Sequence, residues 1–167
     1  MGSLFDNLGL STAEFSPCRR YRYALFRTWE KRGLSVMFVG LNPSTADETE
    51  NDPTVRRCMG FAARWGYKGL IMANAFAYRA TDPREMKAAD DPVGPDNDEW
   101  LRRLAFQAGA IVIAWGVHGV HRGRDAEVLK VLEPWPLLCL GKTKGGQPRH
   151  PLMLRADEQP RRFLLRL

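Results

Sequence analysis

Residues 35–47 read SVMFVGLNPSTAD, a short apolar run that turns polar at Asn42-Pro43. Its length and β-branched content, closed by an Asn-Pro turn signal, predict a buried strand; a helix would need ~10–12 periodic residues. Three further runs share that character: LIMANA at 70–75, AIVIAW at 110–115 and LLCL at 137–140. All four are expected to be buried parallel strands. The segment Arg20–Arg27 (RYRYALFR) alternates Arg and Tyr in its first half and predicts a half-exposed edge strand.

Helical patterns lie between the runs. Asp52-Pro53 is an N-cap followed by proline at the first helical position, with Val55, Met59, Ala62 and Trp65 recurring behind it. Asp96 and Glu99 form a capping-box-like start for a second helix, whose face is Trp100, Leu101, Leu104 and Ala108. Arg124–Leu132 predicts a third helix and the C-terminal DEQPRRFLLRL a fourth. Strands alternating with helices predict an α/β fold, a three-layer α/β/α sandwich around a mostly parallel central sheet.

At 167 residues the chain is the size of one domain, expected to span 1–167 with a less ordered segment at 1–18. Apolar residues make up 44% and charged residues 26%, enough apolar surface for a core and too much for a disordered chain. The 25 Lys and Arg exceed the 19 Asp and Glu, and the net charge of +6 favours a polyanionic partner such as nucleic acid. Cys18, Cys58 and Cys139 are scattered, without a C-x-x-C pair, which disfavours a zinc site or an iron–sulfur cluster; neither a metal nor a cofactor is expected. No stretch approaches the ~18 apolar residues of a membrane span, and the expectation is a cytoplasmic monomer with no membrane partner.

Ligands of open α/β sheets bind beyond the carboxyl ends of the strands. The loops there are NPSTADETEND at 42–52, FAYRATD at 76–82, GVHGVHRGR at 116–124 and GKTKGGQPRH at 141–150, and they hold all three histidines. Asn42 and Asp47 are placed at the mouth of the crevice, though an Asn-Pro turn needs no other role. Asp52 has helix capping to perform. Asn74 closes an apolar strand, where its amide either bonds to a loop or reads the edge of a heterocycle. Phe61 is either core or a ring that stacks on a planar ligand. His150 lies among Lys142, Lys144 and Arg149, cations that keep it neutral and attract phosphate; a neutral imidazole donates one hydrogen bond to a developing oxyanion. Arg56 and Arg57 with Arg64, and Arg79, are further phosphate candidates, though exposed helix charges usually do nothing specific. His118 and His121 lack a carboxylate or cysteine to complete a metal set and read as loop residues. There is no Walker loop, G-x-G-x-x-G, G-x-S-x-G or H-E-x-x-H, which removes support for nucleotide triphosphate, dinucleotide, hydrolase-elbow and zincin chemistry.

Taken in order, these motifs resemble the uracil-DNA glycosylase superfamily. Gly40-Leu41-Asn42-Pro43-Ser44 is similar to the Gly-Ile-Asn-Pro-Gly motif of its mismatch-specific branch, Asn74 stands where an Asn closes a strand and reads uracil, and His150-Pro151-Leu152 is similar to a late His-Pro-Ser loop. AIVIAWG is similar to the superfamily's penultimate core strand. The LNPSTAD, DPT, NxFAYRATDP and RHPL series also resembles a bacterial family of unknown function, from about Arg22 to Leu154. The superfamily resemblance implies a uracil-DNA-glycosylase-like fold and a monofunctional DNA glycosylase of base excision repair, from a branch without a cluster. Such an enzyme flips a deaminated base, uracil first, and hydrolyses its N-glycosidic bond. It implies that Asn42 positions water, with Asp47 or Asp52 sharing that role, while His150 stabilises the departing base. Gly40, Leu41, Pro43 and Ser44 line the base site, Phe61 stacks and Asn74 discriminates. Lys142, Lys144 and Arg149 hold the flanking phosphates, and the intercalating residue is open among Leu152, Met153 and Leu154. The alternatives are a nucleoside or nucleotide N-glycoside hydrolase and a non-catalytic nucleic-acid-binding module on the same fold.

Overall fold

The computed structural model describes residues 10–165. In chain order the strands are β1 (Leu10–Phe15), β2 (Arg22–Thr28), β3 (Ser35–Gly40), β4 (Gly69–Asn74), β5 (Ala110–Ile113), β6 (Leu137–Cys139) and β7 (Arg161–Arg162). The helices are α1 (Pro53–Arg64), α2 (Pro83–Ala88), α3 (Asn97–Gln107) and α4 (Arg124–Val131), with 3-10 turns at Val117–Gly123 and Pro151–Met153. All seven strands form one sheet in the order β1-β2-β4-β3-β5-β6-β7.

The fold is α/β, and the sheet is mixed, where the sequence predicts a mostly parallel one. The four apolar runs do pair in parallel, β4-β3-β5-β6. They are flanked by antiparallel pairs on both sides, β1 with β2, β2 with β4, and β6 with β7. β2 answers to the strand predicted in Arg20–Arg27, while β1 and β7 escape the reading because they are polar or short and lack the continuous apolar signal of a doubly covered strand.

The parallel strands β3, β4 and β5 bury both faces, and β6 is half-buried. Met37 and Val39 of β3 pack with Leu101 and Leu104 of α3, Val128 of α4 and Met86 of α2, while Val36 and Phe38 pack with Val55, Cys58 and Phe61 of α1 on the other side. Asp52 accepts a hydrogen bond from Val55 N at 2.8 Å and starts α1 as predicted, with Pro53 at its first turn. Asp96 stands at the N-cap of α3 but makes no side-chain capping bond, so the expected capping box is not formed.

Three expectations are corrected. The strand in Arg20–Arg27 is not an edge: β1 covers it, and Arg22 and Arg27 are buried at 2% and 3% exposure. Of the segment expected to be less ordered, residues 1–9 lie outside the described residues and Leu10–Phe15 form β1. The expected C-terminal helix is absent among the described residues; Pro160 removes an amide donor there, and Arg161–Arg162 add an edge strand to β6 instead. No helix among the described residues is long and apolar enough to cross a membrane.

From β3 the chain moves outward to β4, then returns past β3 to β5. The loops leaving the carboxyl ends of β3 and β5 therefore diverge, and such a switch point opens a crevice.

Candidate functional site

A cleft of about 820 Å³ opens at that switch point. Its lining includes Leu41, Asn42, Ser44 and Asp52 after β3, Ala80 and Thr81 after β4, Trp115 to His118 after β5, and Lys142 to Lys144, Arg149, His150, Leu152 and Met153 after β6.

The β3 loop lacks regular structure and is pinned by side chains. Asn42 Nδ2 donates to Ala80 O at 2.7 Å and Pro43 O at 3.1 Å, and Ala80 N returns a bond to Pro43 O at 2.9 Å. These bonds tie the β3 and β4 loops together and leave Asn42 Oδ1 without a donor among the described residues. From below, Arg22 Nη1 donates to Ala46 O at 2.9 Å. Arg27 donates to Asp47 O at 2.6 Å, Glu50 O at 3.1 Å and Asn51 Oδ1 at 2.8 Å. Burial pulls the Arg22 guanidinium down to about 10, with the Asp52 carboxylate opposing the shift.

On the opposite wall His150 precedes a 3-10 turn. Its Nδ1 accepts from Leu152 N at 3.3 Å. An imidazole that accepts at Nδ1 carries its one proton at Nε2, so this side chain is a neutral Nε2–H donor. Burial lowers its pKa below the ordinary value of 6.5, against the pull of Asp52. Gly116, at a φ of 73°, lets the end of β5 turn against His150, and its N–H donates to Pro148 O at 2.8 Å.

The floor is Trp115, whose Nε1–H donates to Gln147 Oε1 at 2.8 Å, while Gln147 Nε2 donates to Asp125 Oδ2 at 3.0 Å. A Cβ on Gly119 would fall 2.1 Å from Trp115 Cδ1, so the indole needs glycine there.

Of the sequence candidates, Leu41, Asn42, Ser44, Asp52, Lys142, Lys144, Arg149, His150 and Leu152 converge on the cleft. Several others do not line it. Asp47 is spent on a local turn, accepting from Thr49 N at 2.9 Å and Glu50 N at 2.8 Å, bonds that lower its pKa. Phe61 is 1% exposed, stacked between Phe38 and Trp65 in the core, and no ligand in the cleft reaches it. Asn74 is 3% exposed, and its Nδ2 is buried without a partner. Gly40 pairs with Asn74 across β3 and β4, and Pro43 is buried behind the loop.

The basic candidates divide in the same way. Lys144 and Arg149 are exposed at the rim. Lys142 Nζ instead donates to Leu164 O and lies 4.6 Å from the Phe163 ring centroid. Arg56 and Arg57 donate to Asn51 O and Leu154 O, and Arg79 donates to Arg19 O. Among the wedge candidates, Leu152 and Met153 stand exposed at the mouth, at 44% and 71%, while Leu154 packs against the core.

Trp115 and His118 are cleft residues, although the sequence pattern assigns the first to a strand and the second to a plain loop. His121 fits the loop reading, its ring tilted 5.8 Å from that of Phe76. No group of three or more His, Cys, Asp or Glu among the described residues is placed to hold a metal ion. Residues 22–152 match the model of a family described as "Protein of unknown function (DUF1643)". No curated protein and no solved structure matches the chain.

Proposed function

The chain belongs to this DUF1643 family, and we propose, from its cleft, that it is a monofunctional DNA glycosylase that flips a deaminated base, uracil first, and hydrolyses its N-glycosidic bond. The observation that carries the reading is the pairing of a neutral imidazole donor, His150, with acceptors on the facing loop, Asn42 and Asp52, across an apolar cleft. A hydrolysis that expels an anionic heterocycle needs those two functions on opposite sides of the bond. The motif resemblance to the uracil-DNA glycosylase superfamily and the switch-point position of the cleft support it.

In the mechanism, the bond between the sugar carbon and the base nitrogen breaks first, and its electron pair goes to the base ring and its oxygens. His150 Nε2–H donates to the oxygen on which that charge collects, a stabilisation worth roughly 3 kcal/mol. Asn42 Oδ1, with the amide nitrogen already committed to Ala80 and Pro43, accepts from a water and aims it at the sugar cation. Asp52, with one oxygen on Val55 N, sits beside it to take the proton that the water releases. Trp115, 1% exposed, supports the cleft floor from the core side, Leu152 or Met153 fills the space the base leaves, and Lys144 and Arg149 meet the flanking phosphates. No lysine intermediate and no metal enters the scheme.

The test is cleavage of single- and double-stranded oligonucleotides carrying one uracil or one hypoxanthine, in chelator, followed by alkali. Strand breaks that appear only after alkali are the expected result. Asn42→Ala should lose turnover with DNA affinity kept, and parallel loss of both would refute the role given to Asn42.

A further inference from the structure

We propose that His118 is a second neutral imidazole donor of the cleft, set by Lys87, and that its Nε2–H takes an anionic or charge-bearing oxygen of the ligand. The inference rests on the reading of the cleft as a nucleotide site and adds a residue to it.

Lys87 Nζ lies 2.9 Å from His118 Nδ1. A lysine ammonium has three donors and no acceptor, so Nδ1 must accept, and the single proton of a neutral ring then sits on Nε2. This is the arrangement of His150, reached with a different partner: Leu152 N fixes the tautomer of His150, and Lys87 Nζ fixes the same tautomer in His118. Nε2 of His118 finds no acceptor among the described residues, and the residue lines the cleft. Two imidazoles on neighbouring loops thus present the same kind of donor. Those loops are joined where Gly116 N donates to Pro148 O.

The support for the Lys87 contact is built into the backbone. Arg122, a non-glycine residue at a φ of 55°, donates from Nη1 to Asp90 O at 3.0 Å and from Nη2 to Ala89 O at 3.2 Å. It clamps the end of α2 to the β5 loop. A left-handed arginine costs of order 1 kcal/mol, and such strain gathers where geometry is held for a purpose. Lys87 from α2 is the charged group in direct contact with His118, and the titratable groups that share the cleft with it are Asp52 at the start of α1 and Lys142, Lys144, Arg149 and His150 from the β6 loop. Burial first, and the Lys87 charge second, hold its pKa below the ordinary value; no carboxylate opposes them. A charged imidazole would repel Lys87, so the pair keeps His118 a donor without giving it a charge. Its ligand is an oxygen acceptor, a carbonyl of the departing base or a phosphate oxygen, since a donor group on the ligand has nothing to meet there.

Long-range 1H–15N spectra of histidine-labelled protein read the tautomer without any turnover. The expected result is His118 in the Nε2–H form, with its titration midpoint moved upward in Lys87→Met. An Nδ1–H tautomer, or a midpoint that Lys87→Met leaves in place, overturns the assignment of Lys87 and with it the proposal. Inorganic phosphate and 2′-deoxyuridine, added separately, should identify the oxygen: the His118 signal moves with phosphate if the partner is a phosphate, and with the nucleoside if it is the base. A signal that neither moves overturns the proposal. Where the glycosylase assay is positive, His118→Ala should lower kcat by roughly 10²-fold for a base contact, or raise KM with kcat kept for a phosphate contact. His118→Gln, which keeps an amide donor, should recover part of the loss. A negative assay with the expected tautomer and ligand shift sinks the glycosylase reading and leaves the donor assignment standing.

Discussion

The two walls of the cleft are built on opposite principles. The β3 loop, residues 42–52, is held from beneath by two buried arginines and from the side by the Asn42 carboxamide, and it presents acceptors. The β6 loop, residues 141–150, is tied mainly by its own backbone, with Thr143 N on Gln147 O and Arg149 N on Gly141 O, and it presents a donor and exposed cations. A buried guanidinium is costly unless its donors are used, so the chain spends desolvation on fixing one wall and leaves the other to local turns. The acceptor wall is accordingly a positioned part, while the donor wall is set by tautomer and charge.

Breaking the donor wall should do the most damage. His150→Ala should lower kcat by roughly 10²–10³-fold with KM near that of the native protein, as for loss of one oxyanion donor. The pH dependence follows from the same ring. Burial lowers the folded-state pKa of His150, so the folded protein binds fewer protons than the unfolded chain. The stability it contributes is therefore complete above the ordinary value of 6.5 and is lost as pH falls through the folded value. Turnover by the proposed glycosylase mechanism calls for the neutral ring and should follow the same acid limb, and His150→Gln should abolish that limb. A limb that survives in His150→Gln would assign the titration to another group.

Damage to the acceptor wall should be milder. Arg27→Ala removes the buried donor to four carbonyl oxygens, of Thr12, Phe26, Asp47 and Glu50, and to the Asn51 carboxamide oxygen, and should cost about 3 kcal/mol in urea unfolding. Outside both walls, removing the exposed Lys68–Glu30 pair with Lys68→Met should cost under ~1 kcal/mol. If the two walls are independent, the histidine spectra will place His150 in the same tautomer with the same midpoint in Arg27→Ala. A shifted His150 would mean that the walls are coupled through Asp52.

The same contrast decides what is legible in the sequence. The four parallel strands, α1 with its Asp52-Pro53 start, α3 and α4 can be read because continuous apolar runs and cap residues are local signals. The polar edge strands and the six-residue α2 cannot, since their place is fixed by pairing and docking. Asn42, Asp52 and His150 are legible because loops after buried strands gather at one end of such a sheet. Phe61 is ambiguous in the sequence because an aromatic on an amphipathic helix has two faces to choose from, and Phe38 and Trp65 claim it. Arg22 and Arg27 are hidden because their alternation with Tyr and apolar residues mimics a solvated strand face. His118 has no carboxylate near it in the sequence to mark it, and its partner is a cation thirty-one residues earlier in the chain.

The subtlest change separates cations within the donor wall. Lys144 and Arg149 are exposed and directed to the rim, whereas Lys142 is occupied by Leu164 O and the Phe163 ring. Each single-strand phosphate that a protein no longer neutralises lowers the slope of log affinity against log salt by about 0.7. Lys144→Gln and Arg149→Gln should each lower it by that amount on a single-stranded oligonucleotide, with sequence preference unchanged, because a phosphate carries no base identity. Lys142→Gln should leave the slope in place. Its charge is engaged within the chain, and removing it frees the C-terminal segment without exposing a phosphate. An equal fall for all three would show that Lys142 leaves Leu164 when DNA binds, and that the donor wall rearranges where the acceptor wall does not.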